Sequence, residues 1–112
     1  MNNPLFPEVR EAISKWVKSN DETLKSNNIS LEILRDNDTC FRVELNFGKF
    51  LAEILVEEPW FAPYRYMSFQ AVGIINGVPD LLYFWYDEKN MNIDKITENL
   101  DKTITVCINK IA

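Results

Sequence analysis

The stretch Phe47–Tyr86, FGKFLAEILVEEPWFAPYRYMSFQAVGIINGVPDLLYFWY, decides the fold. Phe50 to Glu57 alternates, with Ala52, Ile54 and Val56 on one side and Leu51, Glu53, Leu55 and Glu57 on the other. A period of two marks a strand, because successive Cβ atoms point to opposite faces of a sheet. Glu58-Pro59 ends that run, since proline has no N–H to give a ladder. Trp60 to Pro63 reads as loop, restricted by a proline on each side. Tyr64 to Ile75 is the longest strand candidate: Arg65, Met67, Phe69 and Ala71 share one face, and Tyr64, Tyr66, Ser68 and Gln70 the other. Asn76-Gly77, followed by Val78-Pro79, signals a hairpin turn. Leu81 to Tyr86 is apolar on both faces, which predicts a central strand or one covered on both sides.

Toward the N-terminus, Thr39 to Phe47 alternates as well, with Phe41, Val43, Leu45 and Phe47 set against Arg42, Glu44 and Asn46. Ile29 to Arg35 does the same, and Asp36-Asn37-Asp38 between the two runs is a turn cluster, so the pair reads as a hairpin. Ahead of it, Val9, Ala12, Ile13, Trp16 and Val17 recur at helical spacing behind Pro7 and Glu8, residues suited to a first helical turn. That helix is expected from Pro7 to Lys18, stopping in Ser19-Asn20-Asp21, with Ser19 and Glu22 capping one further short turn. Leu5 and Phe6 would fold back onto its core side. At the other end Asn92 reads as an N-cap. Ile93, Ile96, Leu100, Ile104, Cys107, Ile108 and Ile111 then hold one apolar stripe to the end of the chain.

The order is thus a helix, about five strands joined by tight turns, and a helix. Short turns force antiparallel neighbours, so the class is α+β: a curved meander sheet with both helices against one face. A chain of 112 residues reads as a single domain spanning 1–112.

Composition narrows the chemistry. The net charge is −5, and the basic residues are scattered without a run. Nucleic-acid affinity comes largely from Lys and Arg displacing counterions, so neither nucleic acid nor an anionic membrane is an expected partner; basic proteins are. The chain has no His, which removes the commonest general base and the His-dependent triads. Cys40 and Cys107 are too few for a zinc site and read as buried free thiols, a bridge between them being open only if the terminal helix crosses the Cys40 strand. With three glycines and no phosphate-cradling motif, no cofactor is expected and no metal ligand set is evident. The start MNNPLFPEVREA lacks the pattern of a secretion signal, and no apolar run is long enough to span a bilayer, so the expected compartment is the cytoplasm.

Carboxylates and rings remain. Glu53, Glu57 and Glu58 precede the Trp60 loop, and Asp87 and Glu88 follow the last strand. Glu53 and Glu57 lie four residues apart along a strand, too far to share a proton, which argues against paired-carboxylate catalysis from these two alone. Trp60, Tyr64, Arg65 and Tyr66 have the composition of binding hot spots, although the same rings could plug the end of the core and pack across strands. A small, acidic α+β chain of this kind, without catalytic machinery, resembles the immunity proteins of bacterial toxin systems. The resemblance covers the profile of the whole chain. It implies a non-enzymatic protein-binding module that covers the surface of a basic toxin. Glu53, Glu57, Glu58, Asp87 and Glu88 would steer association, and Trp60, Tyr64, Arg65 and Tyr66 would anchor it. Two other readings are open: a small-molecule or enzymatic pocket on the curved sheet, lined by Tyr64, Tyr66, Tyr83, Trp85 and a carboxylate, and a homodimer through an edge strand or the aromatic face.

Overall fold

The computed structural model describes residues 4–58, 66–88 and 91–111. The elements run α1 (Phe6–Ser26), β1 (Ser30–Asn37), β2 (Cys40–Asn46), β3 (Phe50–Glu57), β4 (Met67–Ile75), β5 (Val78–Tyr86) and α2 (Ile93–Ile111). All five strands form one antiparallel sheet in the order β1-β2-β3-β4-β5. The class is α+β, as the alternating runs and short turns imply. The turns have the expected chemistry: Asn37 Oδ1 accepts from the N–H groups of Thr39 and Cys40 at 3.0 and 2.9 Å. Asn76 and Gly77 both hold a positive φ, 54° and 78°, as a two-residue turn matched to strand twist requires.

Helix α1 is longer than its apolar stripe predicts. Ser19-Asn20-Asp21 does not stop it; the helix continues unbroken to Ser26. The Asn20 side chain donates to the Trp16 carbonyl at 2.8 Å, so this turn-former bonds to the helix backbone instead of breaking it. Leu24, fully buried, pulls the last turns onto the core. Asn28 then reverses the chain with φ 61°. Helix α2 begins where expected, with Asn92 Oδ1 accepting from the Lys95 N–H at 2.8 Å.

One face of the sheet carries the core. Val43, Ile54 and Phe69, at the centres of β2, β3 and β4, are fully buried with Val9, Ile13 and Leu24 of α1 and Ile96, Leu100 and Cys107 of α2. Burying one such aliphatic or aromatic side chain contributes about 1.5–3 kcal/mol. The Trp16 indole N–H donates to Asp101 Oδ1 at 2.8 Å and ties α1 to α2. Arg10 pairs with Asp36 and donates to the Asn37 carbonyl, fastening α1 to the β1–β2 turn.

Strand β5 differs from its expected place. It lies at the edge of the sheet, and only one of its faces is covered. Tyr83 and Trp85, opposite Ala71 and Phe69, pack half-buried against the core, while Leu81 and Phe84 are 58% and 47% exposed. Val78-Pro79 belongs to the strand; an edge tolerates proline because one side of its backbone needs no donor. The register slips between Ala71 and Val72, leaving Leu82 unpaired, and its side chain lies over Gly73. A Cβ on Gly73 would come within 3.1 Å of Leu82 Cδ1, so the small residue makes room for the bulge.

One-sided burial predicts a sharp contrast between neighbours on β4. Phe69→Ala should cost about 3–5 kcal/mol in denaturant unfolding, whereas Ile74→Ala, at a side chain 73% exposed, should stay within about 0.5 kcal/mol. Similar losses at the two positions would contradict the layer assignment.

Candidate functional site

Among the described residues, the sheet face away from the helices exposes large apolar side chains. Its side chains form rows, because paired residues on adjacent strands point the same way. One row runs Glu32, Glu44, Glu53, Gln70, Phe84 across β1 to β5. The row toward one end of the sheet reads Arg35, Arg42, Leu55, Ser68, Tyr86, and the row toward the other end reads Ser30, Asn46, Leu51, Val72, Leu81. The face is therefore divided: carboxylates and guanidinium groups over β1 to β3, aliphatic and aromatic groups over β3 to β5. Leu51, Ile74, Leu81 and Phe84 are all exposed there, and the Phe84 ring meets that of Tyr86 edge-on at 5.7 Å.

Three glutamates stand side by side in the first row. Like charges directly opposite one another destabilise a sheet. Arg42 relieves part of this repulsion through its Nε and Nη2, at 2.8 and 2.7 Å from the same oxygen, Glu53 Oε2. Glu32 and Glu44 have no ion pair among the described residues. Two shallow grooves lie beside this row. The larger, about 470 Å³, is bordered by Lys49, Leu51, Val72, Ile74 and Pro79. The smaller, about 150 Å³, is bordered by Glu44, Glu53 and Gln70. They meet at Leu51 and Val72, which border both.

The residues expected to steer and anchor a partner are divided between places. Glu53 lies at the centre of the open face, half-buried in its pair with Arg42. Glu57, Glu58 and Glu88 are exposed, and with Tyr66 and Asp87 they gather where β3 and β5 end and β4 begins. Tyr66 is half-buried with its ring 5.9 Å from that of Phe6 and its carbonyl accepting from the Glu57 N–H, so it packs on the core side. Asp87 needs correcting: it is 2% exposed and cannot serve as a surface steering charge. Its Oδ1 accepts from the N–H groups of Tyr66 and Met67 at 2.8 and 3.0 Å, holding the entry to β4 against the exit of β5. Trp60, Tyr64 and Arg65 lie outside the described residues. Of the rings assigned to a pocket, Tyr83 and Trp85 face the core.

The main apolar residues of the face, Leu51, Val72, Ile74, Leu81 and Phe84, were not among the expected site residues. A signal for them was present: β3, β4 and β5 all carry large apolar residues on both faces, and a sheet covered on one side must expose those on the other. The thiols show no sign of reactivity. Burial pushes Cys107 up to about 11, and burial and then the Glu57 charge across the ladder raise Cys40. Among the described residues no group of three His, Cys, Asp or Glu is placed to hold a metal ion, and no helix is long and apolar enough to cross a membrane.

No protein-family model matches this sequence, and no curated protein or solved structure is significantly similar to it.

Three outcomes follow from these environments. Asp87→Ala leaves two backbone donors without their acceptor and should cost about 2–4 kcal/mol, while Asp87→Asn, which keeps one acceptor oxygen, should cost clearly less on chemical unfolding. Both thiols should resist a colorimetric disulfide reagent in the native protein and react fully in guanidinium. The folded-state value of Cys107 is raised, so its contribution to stability is intact below its ordinary value near 9 and declines as pH rises toward about 11. Cys107→Ala should flatten that decline.

Proposed function

We propose that this chain is a protein-binding module, of the kind seen in immunity proteins, that uses its open sheet face to cover a basic protein. The observation that carries the reading is the division of that face: exposed Leu51, Ile74, Leu81 and Phe84 beside the Glu32-Glu44-Glu53 row. Sheets in stable domains are covered on the faces where they carry apolar residues. The largest exposed apolar patch on a monomer is often functional. An apolar centre with a charged flank is also the anatomy of a binding surface, where the apolar part holds the partner and the charges steer its approach. The net charge of −5 attracts a basic partner over a distance.

A pocket for a small molecule is the weaker alternative. Ligand pockets enclose most of their occupant, whereas the two grooves found among the described residues are shallow troughs on the sheet. Gln70 borders the smaller trough and is exposed, Ser68 is half-buried on the same face, and Tyr66 packs on the core side.

The test begins with a screen of basic toxins against this chain, to find a product that it neutralises. Co-expression of this chain should protect cells from that product, and Val72→Lys and Leu81→Asp should remove protection without unfolding the chain. The paired change Glu44→Lys, Glu53→Lys should slow association roughly ten-fold at low salt and much less at high salt, with a smaller effect on dissociation. A partner bound equally well by all these variants would overturn the reading.

A further inference from the structure

We infer that the trough formed by the two grooves reads one element, an α-helix of the partner with an apolar stripe and a Lys or Arg on its flank; this rests on the protein-binding reading above. The trough has an apolar end at Leu51, Val72, Ile74 and Pro79 and an acidic end at Glu44 and Glu53, joined at Leu51 and Val72. Along β3 the step from Leu51 to Glu53 is two residues, about 6.6 Å. Side chains three or four positions apart on a helix stand about 5–6 Å apart, so an apolar residue and a basic residue at that spacing reach both ends together.

The choice of helix follows from backbone hydrogen bonding. An extended segment laid on the face of a sheet, away from its edge, would leave its own N–H and C=O groups without partners as water is excluded. A helix satisfies its backbone internally and would complete a third layer opposite α1 and α2. Charge selects its flank. Arg42 occupies Glu53 Oε2, but Glu32 and Glu44 in the same row have no ion pair among the described residues, so the three carboxylates Glu32, Glu44 and Glu53 outnumber the two guanidinium groups Arg35 and Arg42 and leave this side of the face net negative by one charge. Lys49, at the apolar end, repels a cation there and so orients the helix.

The test is an NMR titration of the full chain with two designed helical peptides of identical composition. One carries Arg on the flank of a Leu stripe, one turn from a Leu. The other carries the same Arg on the opposite side of the helix. The first should bind about ten-fold tighter and shift the amides of Leu51, Glu53, Gln70 and Val72. Glu44→Gln with Glu53→Gln should reduce that preference to below about two-fold, and Val72→Lys should abolish binding of both peptides. Equal binding of the two peptides at this face overturns the helix-and-cation inference while leaving the protein-binding reading intact. Shifts confined to other surfaces, or no binding of either peptide, overturn it as well. So does a dimer of this chain, detected by light scattering, that Val72→Lys dissociates.

Discussion

The architecture depends on one constraint: all of its helical cover lies on the same side of a five-stranded sheet. Val43, Ile54 and Phe69 are fully buried because α1 and α2 pack there, tied to each other through the Trp16–Asp101 hydrogen bond. The same arrangement leaves the opposite face to water. Where that face carries Glu32, Glu44 and Arg42, exposure costs little. Where it carries Leu51, Ile74, Leu81 and Phe84, the chain forgoes burial that a second helical layer would supply. That difference is the physical basis for the proposed docking surface.

Much of the fold was legible in the sequence because local rules agreed with one another. The alternation in Phe50–Glu57, the Asn76-Gly77 turn and the stripe from Ile93 to Ile108 each point to a single element, and each element is present. The misreadings arise where tertiary packing overrides a local signal. Ser19-Asn20-Asp21 looks like a helix stop, but Leu24 gains enough from the core to carry α1 past it. Leu81 to Tyr86 looks like a central strand because it is apolar on both faces. It is an edge strand with one face uncovered, and a local pattern cannot distinguish burial by the chain's own core from exposure.

The site was less legible for the same reason. Which carboxylates stand together is decided by register: Glu44 faces Glu53 only because β2 and β3 pair as they do. Asp87 looked like a surface charge by residue type, yet it is buried and receives the Tyr66 and Met67 N–H groups. Its carboxylate stabilises the junction between β4 and β5. The surface proposed to meet a partner is instead the middle of the sheet, where acidic and apolar halves adjoin at Leu51 and Val72.

The most direct test is hydroxyl-radical footprinting of the free chain against its complex with a basic protein selected for binding to it. Protection concentrated at Leu51, Ile74, Leu81 and Phe84, with the exposed Val106 of α2 still oxidised at its free rate, is the predicted result. Protection confined to the outer surfaces of α1 and α2, with those four side chains as reactive as before, would contradict the account.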